Sequence, residues 1–344
     1  MPSLVSVIIP CYNAQKWLEE AIDCCLQQTY PNIEIIVIDD GSTDNSSEII
    51  KSYADKIVTY KMPHRSGNVA RNKGIDLSSG KYIQFLDADD YIYPQKIARQ
   101  VSFLEANEAD IVYGDWRHKY HLPNGESFLG KVEIPGEQVD ILESLISNWW
   151  VALASLMYSR KIVLKVGGWD ENLPIVQDRA FFLSTVMAGA KVFYQPGCYS
   201  LYRRHGSSTV STSSHNLWIE THYKINTELQ EKIFQMGKLS PSYRRAFAKA
   251  YFELARKSLP LDYSQYKIFL NKALTTYPEF DGDSKILIYN LMKRFIGFNL
   301  TEKLVSNILR LKNQVKPFIK PLVMQTFFSR YYARFNYWAS VDVK

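Results

Sequence analysis

The sequence lacks the marks of a zinc module, a disulfide scaffold or a membrane-spanning chain. Its four cysteines are Cys11, Cys24, Cys25 and Cys198; none are spaced as CxxC and two are neighbours. Neither a zinc cluster nor a disulfide framework is expected, and a reducing, cytosolic setting fits best. No stretch reaches the ~18 uninterrupted apolar residues that a membrane span requires. The opening Met1-Pro2-Ser3-Leu4 has no basic region ahead of a long apolar run, so no signal peptide is expected. Residues 1–300 also lack any charge excess: the whole net +6 falls between Thr301 and Lys344, where eight basic residues face two acidic ones. A neutral body is not the electrostatic footprint of a nucleic-acid binder, so no nucleic-acid partner is expected.

What is present is globular. Of 344 residues, 46% are hydrophobic and 22% charged, enough to build a core in one large domain or two ordinary ones. Leu4–Ile9, Ile33–Ile38 and Lys81–Leu86 are short apolar runs that read as buried strands, with Lys56–Tyr60 and Ile111–Tyr113 as further candidates. Helical periodicity fills the intervals. One helix runs from about Ala14 to Gln27 with Asn13 as its cap, another near Asn45–Tyr53, a third over Asn68–Leu77, and Pro94 opens a fourth to about Ala106. Apolar strands alternating with helices predict a parallel α/β sheet. From Trp116 to Arg204 the pattern is mixed, with a helix over Asp178–Ala188. After Ser214 it turns helical, over Ser242–Leu259, Tyr263–Tyr277 and Lys285–Arg294. The expected organisation is an α/β domain over 1–214 and a helical region over 215–344 that ends in a basic, aromatic tail.

Ligands of such sheets sit beyond the carboxyl ends of the strands. Tyr12-Asn13, Asp39-Asp40 and Asp87-Ala88-Asp89-Asp90 all follow strands there, so three polar patches are expected to converge. The three carboxylates of the last patch repel one another unless a cation neutralises them. A hard cation, Mn²⁺ or Mg²⁺, shared with a substrate phosphate would do so. A plain surface turn is the alternative, and the place at a strand end weighs against it. Asp39 and Asp40 can accept from a base N–H or a ribose hydroxyl, while Ser42 and Asp44 read as helix caps. Arg71, in Asn68-Val69-Ala70-Arg71-Asn72-Lys73-Gly74, can reach a diphosphate or simply face solvent. That segment has no GxGxxG, which excludes a dinucleotide fingerprint.

Taken in order, Val5–Asn13, Ile36-Val37-Ile38-Asp39-Asp40-Gly41-Ser42-Thr43-Asp44, Ala70–Gly74 and Phe85–Asp90 closely resemble the family 2 glycosyltransferases of the GT-A fold, over roughly residues 1–210. The resemblance implies a Rossmann-like, nucleotide-binding α/β/α sandwich with a C-terminal α-helical appendage. It implies inverting, non-processive transfer of a sugar from a nucleotide-diphosphate sugar, most simply a UDP-sugar, to a hydroxyl on a glycan, a lipid-linked or a protein acceptor in glycan biosynthesis. Pro10, Tyr12 and Asn13 would line the nucleobase pocket, with Asp40 on the base and Asp39 beside it. Arg71 and Ala88 would support the nucleotide, Asp87 would face the ribose, Asp89 would hold the metal and Asp90 would brace it. The family's catalytic base follows a Gly-Trp-Asp segment, here Gly168-Trp169-Asp170, with Trp169 supporting. Its usual Glu-Asp pair is Gln177-Asp178 here, so the base role passes to Asp178. A helix N-terminus there favours the anion a general base needs. In Tyr202-Arg203-Arg204-His205-Gly206-Ser207-Ser208, His205 is the implied second group at the metal.

Rival readings each lack something. A processive synthase carries QxxRW and membrane spans, and a nucleotidyltransferase needs a basic, glycine-rich phosphate loop that Cys11-Tyr12-Asn13-Ala14 does not supply. A non-catalytic nucleotide-sugar-binding module stays open to a turnover assay. The tail, 315–344, reads equally as a peripheral contact with the inner face of a membrane or as a packed helix in a homo-oligomer.

Overall fold

A computed structural model describes residues 1–122, 124–205, 214–259, 261–282 and 287–315, with side chains to 309. The basic aromatic tail and Gly206-Ser207-Ser208 of the predicted metal segment lie outside the described residues. The chain divides into two compact units, Met1–Ser214 and His215–Lys344.

The first unit opens with three strand–helix pairs: β1 (Val5–Cys11), α1 (Leu18–Leu26), β2 (Ile33–Asp39), α2 (Ser46–Ser52), β3 (Val58–Lys61) and α3 (Gly67–Leu77). Next come β4 (Tyr82–Phe85), β5 (Tyr91–Ile92), α4 (Lys96–Ala106), β6 (Ile111–His121) and β7 (Ser127–Glu133). Then follow α5 (Ile141–Ile146), β8 (Leu156–Ser159), α6 (Arg160–Lys165), α7 (Gln177–Met187) and β9 (Val192–Arg204). They form one sheet in the order β3-β2-β1-β4-β8-β6-β9-β5, with β7 hydrogen-bonded to β6. Apolar side chains fill both faces of β1 and β2. Val5, Val7, Ile9, Val37 and Leu18 belong to one core cluster and are fully buried.

The predicted parallel sheet holds for β3, β2, β1 and β4. Beyond them the sheet is mixed: β8 runs antiparallel to both β4 and β6, while β6 and β9 pair in parallel. The reason lies in the connection: β6 continues well past Tyr113 as a two-faced ribbon paired with β7, and the chain re-enters the sheet reversed. The predicted cap also fails. Asn13 takes a left-handed conformation (φ 52°), and its Oδ1 accepts the backbone N–H groups of Thr43 (2.8 Å) and Asp44 (3.3 Å). Asn at φ > 0 is tolerated where its side chain finds local partners. Asn13 therefore stitches two loops, and α1 starts five residues later.

Register places the site. Cys11 pairs with Asp39 and Ile8 with Phe85, so the chain leaves β1, β2 and β4 at one edge. Helix α3 lies close against β1 because Gly74 has no side chain; a Cβ there would stand 2.3 Å from Ile8 Cγ2. Ser66 Oγ accepts from Val69 N and caps α3, which brings Arg71 back to the same edge.

The second unit is helical: α8 (His215–Gln235), α9 (Pro241–Ser258), α10 (Tyr263–Thr276) and α11 (Leu287–Val315), with a kink at Gly297 (φ 77°). Ser240 caps α9 with Pro241 in the first turn, and Asp262 caps α10. Its core holds one buried carboxylate, Glu302, bound by the hydroxyls of Tyr266 (3.1 Å) and Tyr289 (2.6 Å) and paired with Arg256. Among the described residues, no helix is long and apolar enough to cross a membrane.

Candidate active site

The acidic turn after β4 disposes of its three carboxylates in three ways. Asp87 Oδ1 pairs with Arg71 Nη2 at 2.7 Å. Asp90 is buried, and its Oδ1 accepts the backbone N–H of Arg203 at 2.9 Å, while Oδ2 has no partner among the described residues. Burial, with the charges of Asp89 and Asp87 added, pushes the Asp90 carboxyl well above the usual range. Asp90 thus braces the turn in a form that favours its proton. Only Asp89, with 30% of its side chain exposed, presents an unpaired-by-arginine carboxylate; its Oδ2 lies 3.0 Å from His205 Nε2. The repulsion expected from the sequence is therefore largely relieved by the protein itself, and one negative group faces outward beside a histidine.

Arg71 sits at the centre of the site and is buried. Its Nη2 holds Asp87, and its Nη1 donates to Asn68 Oδ1 (3.2 Å) and Gln177 Oε1 (3.1 Å). Its guanidinium lies 4.5 Å over the Trp169 ring. Trp169 is itself buried, stacked on Phe181 at 4.2 Å. Burial opposes the Arg71 charge, but Asp87, Asp178 and Asp89 outweigh it and hold the pKa above its ordinary value. Arg71 was expected at the ligand; the structure spends its fork on Asp87, Asn68 and Gln177 instead. Gln177 stands where the resemblance implies an acid, and its amide oxygen accepts from Arg71 without adding charge beside Asp178.

Asp178 opens α7. It is exposed by area yet crowded by protein at longer range, which places it in a concavity. Crowding, then the charge of Asp87, push its pKa up to about 6, while Arg71 pulls down. The helix N-terminus, expected to favour the anion, is outweighed.

Arg203 was not singled out from the sequence, and it ties the site together. It is buried, its Nε donates to the Asp89 carbonyl (2.5 Å), and its Nη2 reaches Glu20 Oε2 (2.5 Å). Its guanidinium lies 4.3 Å over Trp17, and the His205 ring stacks on the same indole at 5.5 Å. An arginine near the end of a strand, close to buried Ser200 and Leu201, needs partners, and that was the available signal.

The nucleobase side is arranged differently. Asp39 is 3% exposed, accepts from Ser42 N (2.8 Å) and Ser47 Oγ (2.5 Å), and lies 3.6 Å from Lys61. Burial works against its ionisation, but these hydrogen bonds and Lys61 outweigh it and lower its pKa. Asp40 is 2% exposed and accepts from Arg65 N (2.9 Å), with its other oxygen 2.9 Å from His64 Nδ1. Both carboxylates are thus used to shape loops. Tyr12 stays exposed, with its ring stacked on His64 at 3.8 Å. Pro10 is half-buried and Ala88 buried beside it at the same edge.

A divalent cation can be tested against these residues. Among those described, no three His, Cys, Asp or Glu side chains form a metal cage. Asp89 and His205 form a two-donor edge, and His205 Nδ1 is buried without a partner among the described residues. Mg²⁺ and Mn²⁺ commonly take one or two protein ligands and complete their shell with substrate phosphate and water. The donor set fits a cation shared with a diphosphate.

Comparisons with known proteins bear on the family and the fold. The model of the family described as "Glycosyl transferase family 2" matches residues 6–145. An uncharacterized glycosyltransferase of Rickettsia typhi is 32% identical over 222 residues, covering 62% of this chain and 68% of the relative. One from Haemophilus influenzae is 33% identical over 216 residues, covering 61% and 82%. Among solved structures, S. aureus TarS 1-349 in complex with UDP-GlcNAc superposes with a TM-score of 0.63 at 17% identity, over 91% of both chains. Full TarS gives 0.53 at 15% identity, and this chain spans 53% of it. At such identities the likeness is one of fold, the GT-A fold with helices following it.

Proposed function

This chain belongs to glycosyltransferase family 2 and is a nucleotide-sugar-dependent glycosyltransferase, and on that premise we propose a metal-assisted, inverting transfer from a UDP-sugar. One observation carries the reading. Buried Arg71 is bonded to Asp87 of the acidic turn and lies in the field of both Asp89 and Asp178. It joins a diphosphate-side carboxylate and a candidate base into a single site within residues 1–214.

In this reading the nucleobase lies against Tyr12, beside Pro10 and the loops stitched by Asn13 and Asp40. Asp87, fixed by Arg71, faces the ribose. Asp89 and His205 would hold Mn²⁺ or Mg²⁺, which would supply positive charge to offset that of the departing diphosphate. Asp178 takes the proton from the acceptor hydroxyl. That oxygen bonds to the anomeric carbon from the face opposite the bond to diphosphate, which breaks and releases the nucleoside diphosphate. With a pKa of about 6, Asp178 is ionised at neutral pH and close enough to working pH to serve as a base. UDP is favoured by the fold's likeness to a protein solved with UDP-GlcNAc.

Turnover of UDP-GlcNAc, with Mn²⁺ or Mg²⁺ and then with a chelator, tests the reading alongside the anomeric configuration of the product by NMR. Inversion with chelator-sensitive turnover is expected. Retention, or turnover indifferent to chelator, overturns it.

A further inference from the structure

The reaction needs an acceptor hydroxyl at Asp178, and the structure holds a row of rings, tied to the segments that carry Asp90 and Asp178, that no catalytic role uses. Strand β6 beyond Asp115 is a ribbon with two unlike faces. Arg117, Lys119 and His121 alternate with Trp116, His118 and Tyr120, as side chains on a strand must. The basic face serves the Arg203–Glu20 network through Lys119 and His121. The other face is a row of rings. Trp116 lies 4.9 Å from Trp150 and 6.2 Å from Tyr202, and Trp150 lies 6.1 Å from Tyr202. His118 contacts Tyr202 (5.5 Å) and Tyr120 (5.4 Å), and Tyr120 stacks on Phe128 of β7 at 5.0 Å. From Trp116 to Tyr120 the row spans about 13 Å of strand.

Two independent ties bind this row to the reaction centre. Tyr202 is next to Arg203, whose backbone N–H holds Asp90. Trp150 is tied through α5. That helix ends in a Schellman motif, with Asn148 left-handed (φ 65°), Asn148 N donating to Leu145 O and Trp149 N to Ser144 O. Leu145 O in turn accepts from Arg179, the neighbour of Asp178, and Trp149 packs 6.4 Å from Phe182 of α7. The turn that presents Trp150 is thereby fixed to the helix that carries the base.

The row suits one kind of acceptor. Trp150 is 45% and Phe128 51% exposed, while Trp116 is 5% exposed and backs the row from within; the exposed aliphatic side chains Leu129 and Val132 of β7 stand opposite Lys119 and Arg117, on the other face. Burial, with Arg204 adding to it, pushes the pKa of His118 down to about 4, so that ring is neutral at working pH. A pyranose has an apolar face of C–H bonds and a rim of hydroxyls. The C–H face matches the negative face of an aromatic ring, and the rim matches the polar handles of Tyr and His. A lipid chain would want continuous aliphatic surface, which this row is not. We propose that Trp150, the exposed ring backed by buried Trp116 and by Tyr202, is the entrance of the acceptor subsite and binds a glycan by stacking on a sugar ring, with the row toward Phe128 extending it. The proposal rests on the transferase reading above and names its acceptor class.

The test uses the full chain with UDP present, and methyl β-glycosides of glucose, galactose and N-acetylglucosamine with their β-linked disaccharides as probes. Saturation-transfer NMR from the aromatic protons should reach at least one probe. Trp150→Ala should weaken that probe about tenfold and raise its KM in UDP-sugar turnover, while Trp150→Phe restores most of both. A UDP titration of each variant checks that the fold is intact. No probe receiving saturation, or Trp150→Ala matching wild type, overturns the proposal, as does an acceptor peptide or lipid whose KM ignores Trp150. Wild-type protein that stacks a probe but never releases UDP from a UDP-sugar would sink the donor reading and leave the platform standing.

Discussion

Two acidic turns leave the same edge of the sheet, one after β2 and one after β4, and they have opposite fates. Asp39 and Asp40 are buried at 3% and 2% exposure, with their oxygens engaged by Ser42, Ser47, Arg65 and His64. The Asp87–Asp90 turn buries one carboxylate, pairs one with Arg71 and leaves Asp89 facing out beside His205. The first turn uses its charges to build loops, and the second leaves one carboxylate beside a histidine, which the proposed reading assigns to a metal. Sequence shows both as acidic patches at strand ends; only packing decides which oxygens remain available.

The sharpest break of this comparison is to neutralise one carboxylate in each turn. Asp89→Asn should lower turnover on the order of 100-fold and remove its response to Mn²⁺, read by UDP release across a metal titration. Arg203→Lys keeps the charge but loses the fork that holds the Asp89 carbonyl and Glu20. About tenfold weaker metal-supported turnover is expected, since orienting partners of ligands carry effects of that size. Asp39→Asn should act mainly on stability, by about 1–2 kcal/mol in urea unfolding at pH 7, with turnover little changed. Its pH signature follows from the lowered pKa. The Asp39 carboxylate stabilises the fold above its unfolded pKa of about 4, and that contribution is lost as pH falls through its folded value. The variant should lack this acid limb. The smallest expected effect is in Gln177→Glu, which adds a like charge near Asp178. The acidic limb of the pH–rate profile, which falls below about pH 6 in wild type, should move toward higher pH.

The half of the site built on parallel strands was legible because it follows from period and position. Apolar runs located β1, β2 and β4, and their carboxyl ends located Tyr12, Asp40 and Asp87–Asp90. The rest depended on contacts distant in sequence. Arg203 and Glu20 meet across 183 positions, and Gln177 reaches Arg71 across 106. Ribbon β6 alternates aromatic with basic residues, so it showed no apolar run past Tyr113, and the reversed strand β8 was invisible with it. Asn13 looked like a cap because its side chain does bond to backbone amides, though those of another loop.

The central claim is that Asp178 is the base, held at a raised pKa beside Arg71. Asp178→Asn, assayed on one preparation for UDP-GlcNAc affinity, turnover and thermal midpoint, tests it most directly. Because the folded pKa exceeds the unfolded one, ionising Asp178 lowers stability as pH rises from about 4 to about 6. The variant should therefore keep donor affinity, lose turnover by on the order of 1,000-fold, and melt no lower than wild type at pH 7. Turnover near the wild-type rate, or a variant that melts lower and no longer binds the donor, would contradict the account.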